Sequence, residues 1–340
     1  MKTGQMKSFN VSIIIPCYNE QTTIALLLDA LKRQTYTKSA MEVIIADGGS
    51  TDETRQVIQS WQREHADFEI KVVDNPQRTI PSALNIAIKA STGEIIVRLD
   101  AHSKPKQDYI ARAVAALEEG RGQNVGGVWD ICPGSDHWIA RSIAAAAGHP
   151  IGVGGARYRY TDQPGYVDTV PFGAFHRGLL DQVGLFDETL LTNEDYEFNA
   201  RIRQNGGRIW LDPEIRSEYY ARKDLKSLSQ QYWRYGYWKW QMLRRYPETV
   251  RLRQALPPFF VMTLIILTLL APFFSFPRWA LLGTASIYLF ILLLAGCQLA
   301  IKKHNFKLIG GVPLAIATMH FSWGTGFLWS LLSPRKSKTG

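Results

Sequence analysis

The sequence predicts an α/β fold: a mostly parallel, nucleotide-binding sheet flanked by helices, followed by a C-terminal helical membrane region. Three observations predict it. Short β-branched apolar runs alternate with helix-like segments over residues 9–221, polar and acidic groups stand just after those runs, and three long uncharged windows follow residue 254. With 340 residues, 46% of them hydrophobic, the chain can bury a large core.

Residues 11–15, 42–46, 70–73 and 94–99 read as strands, each rich in Val and Ile and bounded by turn formers. Residues 21–34, 52–65 and 82–90 between them read as helices. This alternation gives parallel strands covered on both faces. Ligands on such sheets sit beyond the carboxyl ends of the strands. The first strand leads into Pro16-Cys-Tyr-Asn-Glu20, the second into Asp47-Gly-Gly-Ser-Thr-Asp-Glu-Thr54 and the fourth into Asp100-Ala-His102. Neither GxGxxG nor GxxxxGK[ST] follows the first strand, which argues against an NAD site and a P-loop.

Asp47 can accept hydrogen bonds from a base or ribose while Gly48-Gly49 turns the chain. Equally, it can open a turn whose Ser50 or Asp52 caps the next helix, and Asp52 is read as a cap. Asp100 and His102 leave a strand two residues apart and are expected on one side. There they could hold a divalent cation on a diphosphate; Mg²⁺ prefers oxygen ligands, whereas Mn²⁺ accepts a nitrogen more readily. A capping Asp followed by a surface His is the plainer alternative. The acidic run 192–198 opens a helix that continues through Arg201 and Arg203. Its acids either complement the helix dipole or supply a base, Asp195, to the strand ends. Residues 230–240 are dense in aromatic and basic groups, which suits an interfacial helix with Arg234 facing a phosphate.

Charge is unevenly placed. Residues 1–221 carry 23 Lys+Arg and 28 Asp+Glu, and residues 222–340 carry 16 and 2. A basic excess beside apolar windows suits an anionic membrane surface; no nucleic-acid recognition motif accompanies it, so no nucleic-acid partner is expected. The windows 254–277, 279–301 and 308–334 lack any charged residue, and about 20 apolar residues span a bilayer core. The expected transmembrane helices are about 257–276, 279–301 and 309–332. A tight turn is expected near Phe276-Pro277, and the third helix could span, re-enter or lie at the interface. Three scattered cysteines exclude a disulfide framework or zinc cluster. The first ten residues lack the apolar core of a signal peptide, so export of the first domain is not expected.

Five ordered motifs together resemble the inverting glycosyltransferases of family 2: Ile13-Ile-Ile-Pro-Cys-Tyr-Asn-Glu20, Asp47-Gly-Gly-Ser-Thr-Asp-Glu-Thr54, Leu99-Asp-Ala-His102, Asn193-Glu-Asp195 and Gln231-Tyr-Trp-Arg-Tyr235. They cover roughly residues 9–240. Asp-Ala-His and the segment His320-Phe-Ser-Trp-Gly-Thr-Gly-Phe-Leu328 make the chain similar to membrane-anchored bacterial exopolysaccharide enzymes of the ExoA (succinoglycan glucosyltransferase) type. The resemblance implies the glycosyltransferase A fold. It implies Pro16, Tyr18, Glu20, Asp47 and Arg78 around a uridine, and Asp100 and His102 on Mn²⁺ or Mg²⁺. Asp195 would be the catalytic base, Gln231 and Arg234 would lie over donor and acceptor, and residues 170–175 would form part of the acceptor floor. Two positions depart from the family pattern: His102 replaces a second aspartate, and Tyr235 replaces a tryptophan.

The function these readings imply is inverting, metal-dependent transfer of a hexose from a nucleotide sugar, UDP-glucose in this subtype, to a lipid-linked saccharide in exopolysaccharide or cell-surface glycan synthesis. Residues 1–221 would form the cytoplasmic catalytic domain, 222–256 basic aromatic interfacial helices and 257–334 a multi-pass region in the inner membrane. Membrane lipids join donor and acceptor as partners. A polyprenyl-phosphate sugar synthase and an inactive membrane-tethered nucleotide-sugar binder remain open as alternatives. A transporter fits less well, because the apolar windows contain no acid.

Overall fold

The computed structural model of the chain describes residues 9–247 and 252–333. The chain divides into two compact units, residues 1–130 with 161–219 and residues 131–160 with 220–340. The second unit therefore takes in a stretch of thirty residues from inside the first, rather than beginning at a single cut after residue 221.

In the first unit the strands are β1 (Val11–Cys17), β2 (Met41–Asp47), β3 (Ile70–Asp74), β4 (Ile95–Arg98), β5 (Lys104–Pro105), β6 (Asn124–Cys132), β7 (Gly165–Val167), β8 (Ala174–His176) and β9 (Ile209–Tyr220). They form one sheet in the order β3-β2-β1-β4-β8-β6-β9-β5, with β7 paired to β9. The half predicted from sequence is parallel: β1 pairs with β2 and β4, and β2 with β3. Beyond β4 the pairings turn antiparallel, at β4/β8, β6/β8, β5/β9 and β7/β9. The sheet is thus mixed. Strands β1, β2 and β4 are buried almost throughout, and helices Ile24–Lys32, Thr54–Glu64, Ile80–Ala90 and Tyr109–Glu118 connect and flank the sheet. Ile13, Ile15, Val43, Ile45, Leu27 and Ile58 share the resulting core.

The second unit is helical. Its elements are Trp138–Ala147, Pro150–Val153, Leu225–Arg245, Leu252–Leu270, Ser275–Lys302 and Leu308–Leu332. Helix Leu308–Leu332, the third apolar window, lies at its centre. His320 bonds the backbone carbonyl of Ile151 at 2.8 Å through Nε2 and the Tyr288 hydroxyl at 3.1 Å through Nδ1. Ser322 meets Ser229 at 2.8 Å, and Gln241 donates to Ser330 at 2.9 Å. Helices Leu225–Arg245 and Leu308–Leu332 therefore run side by side in one direction, residue numbers rising together along the seam.

The hairpin turn lies earlier than the sequence suggested, at residues 271–274. Helix Ser275–Lys302 begins before Pro277, which a first helical turn accommodates because its amide needs no intrahelical partner. Among the described residues one helix, Ser275–Lys302, is long and apolar enough to cross a membrane; residues 254–270 form a shorter apolar helix. Phe259, Phe273, Phe276, Trp279, Ile287 and Phe290 on these two helices and their connection are all exposed. Arg335, Lys336 and Lys338, whose placement bears on the third window, lie outside the described residues.

Candidate active site

The loops after β1 and β2 and the segment after β3 build one contiguous surface. A Cβ on Gly48 would stand 3.3 Å from the Tyr18 ring and 3.6 Å from Arg78 Cα, so Gly48 allows both to close in. Gly49 has φ +74°, and a Cβ there would meet the Arg78 guanidinium at 3.4 Å. Tyr18 and Arg78 are exposed, Pro16 is half-buried, and Arg78 holds a left-handed φ of +56°. Such a backbone is uncommon outside glycine and clusters at functional positions. Its amide donates to the Asn75 carbonyl at 3.1 Å, and the Asn75 amide donates to the Asp47 carbonyl at 2.8 Å. Tyr18, Asp47 and Arg78 are thereby brought together as the sequence suggested.

Asp47 itself is fully buried. Its carboxylate accepts from the Ser50 amide and hydroxyl and from Arg55 Nε at 2.6 Å. Burial alone would raise its pKa, but the Ser50 and Arg55 hydrogen bonds outweigh burial and hold it below the usual carboxylate range. Asp52 accepts from the Thr54 amide at 3.0 Å, but the N-cap of the following helix is Glu53 and no side chain caps it, so the expected cap falls one residue early. On the loop after β1, Glu20 accepts from the Thr23 hydroxyl and meets His102 Nδ1 at 3.0 Å. That contact ties the loop after β1 to the loop after β4.

The strongest feature was not singled out from sequence. Arg98, the last residue of β4, is only 2% exposed and reaches three carboxylates: Asp100 at 3.2 Å, Glu194 at 2.9 Å, and Asp195. A buried guanidinium is tolerable only when paired, and these acids pair it. Asn193, at φ +71°, turns the chain so that Glu194 and Asp195 open helix Glu194–Gln204. Asn is among the few residues that enter this conformation readily, and the helix N-terminus favours both acids. Burial pushes the Asp195 carboxyl upward, Arg98 opposes this, and Glu194 and Asp100 reinforce it; the net displacement is upward. The isolated Arg in the otherwise apolar run Glu94-Ile-Ile-Val-Arg-Leu99 was the available signal.

Asp100 and His102 are not related by strand alternation, because β4 ends at Arg98 and the Ser103 amide closes a turn onto the Asp100 carbonyl at 2.9 Å. Among the described residues no group of three or more His, Cys, Asp or Glu is arranged to hold a metal ion. The donor set here is one carboxylate and one imidazole. It fits a divalent cation that keeps most of its positions for diphosphate oxygens and water, and does not fit a closed protein cage. Residues 170–175, expected to form part of the acceptor floor, are all buried. Gln231 and Arg234 belong to the second unit, on helix Leu225–Arg245; Gln231 donates to the Tyr235 hydroxyl at 2.9 Å, and Arg234 is exposed.

Comparison with known proteins adds four findings. A family model described as glycosyl transferase family 2 matches residues 12–184. A Methanococcus voltae protein named dolichyl N-acetyl-alpha-D-glucosaminyl phosphate 3-beta-D-2,3-diacetamido-2,3-dideoxy-beta-D-glucuronosyltransferase is 31% identical over 241 residues, 69% of this chain and 74% of that protein. The succinoglycan biosynthesis protein ExoA of Rhizobium meliloti (strain 1021) is 28% identical over 340 residues, 99% of each chain. Among solved structures, the mannosyltransferase PcManGT from Pyrobaculum calidifontis, in complex with GDP-Man and Mn²⁺, superposes with a TM-score of 0.61 at 21% identity. The match covers 95% of this chain and 88% of that one.

Proposed function

The chain belongs to glycosyl transferase family 2, and on that premise we propose that it transfers a hexose, with inversion, from UDP-glucose to a lipid-linked saccharide at the cytoplasmic face of the inner membrane. The observation that carries this reading is the meeting of Asp100 and Asp195 on the single guanidinium of Arg98. A donor-site acid and a candidate base, 95 residues apart in sequence, share one buried partner.

In the proposed reaction Asp195 takes the proton of an acceptor hydroxyl while that oxygen attacks the anomeric carbon. The new C–O bond forms as the bond to the diphosphate breaks, and the electron pair leaves with UDP. One displacement inverts the anomeric centre. General-base help of this kind contributes about 10²–10⁴ in rate. Tyr18, Gly48 and Arg78 offer the surface for the uridine, with Pro16 and Glu20 at its edge. Asp47 acts by holding that loop, since its oxygens are already engaged. Asp100 and His102 would hold Mn²⁺ or Mg²⁺, which when bound supplies charge neutralisation for the diphosphate. Gln231 and Arg234 are proposed as further donor ligands by family resemblance.

Helix Ser275–Lys302 is proposed as a membrane span paired with helix Leu252–Leu270 as a hairpin. Lys302, Lys303 and Lys307 would then return to the cytoplasm, in line with the positive-inside tendency.

The test uses the full chain in native membrane lipids with a panel of radiolabelled nucleotide sugars. Transfer from UDP-glucose into a lipid-extractable β-glycoside is the expected result. A single sugar joined directly to the lipid phosphate would make the protein a polyprenyl-phosphate sugar synthase. No transfer from any donor, with nucleotide binding intact, would overturn the enzymatic reading.

A further inference from the structure

We propose that Arg98 is a positioning residue that fixes the base Asp195 and the donor-site acid Asp100 in one rigid frame; the inference rests on the transfer reading above. The backbone of Arg98 is held from both sides. Its amide donates to the Gly173 carbonyl of the segment entering β8 at 3.0 Å, its Cα lies opposite Ile14 of β1, and the next amide donates to the Ile14 carbonyl at 3.1 Å. With the backbone fixed, burial of the side chain (2% exposed) among three carboxylates leaves the guanidinium little freedom. Its two terminal nitrogens are divided: Nη1 takes Asp195, and Nη2 takes Asp100 and Glu194 at 3.2 and 2.9 Å. One planar fork therefore sets the separation of two acids from different elements, the loop after β4 and the first turn of helix Glu194–Gln204.

Geometry of this kind is worth much in a displacement reaction, because a misplacement of about 1 Å can cost about 10²-fold in rate. Arginine suits the task where lysine does not, since its fork is planar and its donors diverge in fixed directions. Glu194 completes the arrangement by sharing Nη2, which pins the start of helix Glu194–Gln204 to the end of β4. Arg98 touches no reacting atom in this scheme. It acts through Asp195 and Asp100.

The experiment compares Arg98→Met and Arg98→Lys in the full-length chain, alone and combined with Asp195→Asn. Hydrogen exchange reads the frame directly and does not depend on any activity. Amides at 194–198 should exchange at least about 10-fold faster in Arg98→Met, while those of helix Ile24–Lys32 keep wild-type protection. Transfer should fall at least about 100-fold in kcat with donor KM within about 3-fold, and Arg98→Lys should restore only part of it. In the Asp195→Asn background, Arg98→Met should cost less than it does alone, because the part of its effect that runs through Asp195 is already gone. Wild-type protection at 194–198 in Arg98→Met overturns the proposal, and so does full kcat in either variant. Should Arg98→Met fail to fold, Arg98→Lys carries the same exchange and kcat criteria. A wild-type chain that transfers nothing defeats the function reading alone, and the exchange comparison still judges Arg98.

Discussion

Gly236 and Gly326 lie on the seam between helices Leu225–Arg245 and Leu308–Leu332, and their replacement gives a sharp test of how the second unit is held together. A Cβ on Gly236 would stand 2.9 Å from the Trp323 carbonyl carbon and 3.0 Å from the Phe327 nitrogen. On Gly326 it would stand 2.9 Å from the Trp233 carbonyl carbon and 3.1 Å from its Cα. Ordinary van der Waals contact begins near 3.4 Å, and the Trp323 and Trp233 carbonyl oxygens lie closer still than these atoms, so the helices must part by more than about 1 Å at each position. All the named atoms are backbone, and no rotamer change relieves them. Overpacking costs about 1–3 kcal/mol, and contacts this short place both positions at the top of that range. Alanine returns about 1 kcal/mol of helix propensity. The net expectation is about 2 kcal/mol of destabilisation for each single variant. The pair should cost less than the sum of the singles, since one opening of the seam serves both. Gly283 is the internal control: a Cβ there meets nothing within 4 Å, so Gly283→Ala should be neutral or stabilising. Thermal unfolding of the detergent-solubilised chain, followed by near-ultraviolet circular dichroism, ranks the four proteins. Should Gly236→Ala and Gly326→Ala unfold at or above the wild-type temperature, the close backbone approach is refuted.

Other expectations concern the site. Asp195→Asn still offers an oxygen to Arg98, so nucleotide binding by calorimetry should stay within about 3-fold while kcat drops about 10²–10⁴-fold; wild-type turnover would remove Asp195 as the base. Because the free-protein carboxyl is displaced upward by burial and its acidic neighbours, the acid limb of kcat/KM should lie well above the ~3.9 of an ordinary Asp. Activity is present above that raised value and lost as pH falls through it; a profile flat down to pH ~4.5 would contradict the displacement. Stripping divalent ions with EDTA should abolish transfer, and Mn²⁺ or Mg²⁺ should restore it, whereas full activity in metal-free buffer would eliminate the role given to Asp100 and His102.

The parallel half of the sheet was legible because its information is local. Runs such as Ile13-Ile-Ile15 and Val43-Ile-Ile45 are buried on both faces and announce themselves without reference to the rest of the chain. The antiparallel half was not. Strands β5, β7 and β8 have two or three residues each, too few to display a period. Strand β9 does alternate, burying Ile209, Leu211, Pro213, Ile215 and Ser217, but a proline and charged residues within it mask the pattern. The excursion 131–160 gave no warning that it belongs with the C-terminal helices; its Ala-rich helix Trp138–Ala147 reads equally well as part of an α/β domain. Within the site, Asp100 and Asp195 were legible as acids in the right kinds of places. What sequence could not supply was their common partner, because Arg98 and Asp195 lie 97 positions apart and meet only when the chain folds back.

The charge balance around Arg98 also bears on how a nucleotide sugar reaches this surface. One guanidinium faces three carboxylates, Asp100, Glu194 and Asp195, an excess of two negative charges when all are ionised. Two like charges about 5 Å apart interact at about 3 kcal/mol for an effective dielectric near 20. On the proposed reading, a diphosphate brought unaccompanied to this cluster would be repelled by it whenever all three acids are ionised. Arg98 cannot relieve this, since its terminal nitrogens already serve the three acids. Compensation has to come from elsewhere, and Asp100, which shares only one of its oxygens with Arg98 at a long 3.2 Å, is the member of the cluster best placed to accept a second cation. The same excess that makes the apo cluster unfavourable for a diphosphate favours a divalent ion at Asp100, so cation and nucleotide should bind cooperatively rather than independently.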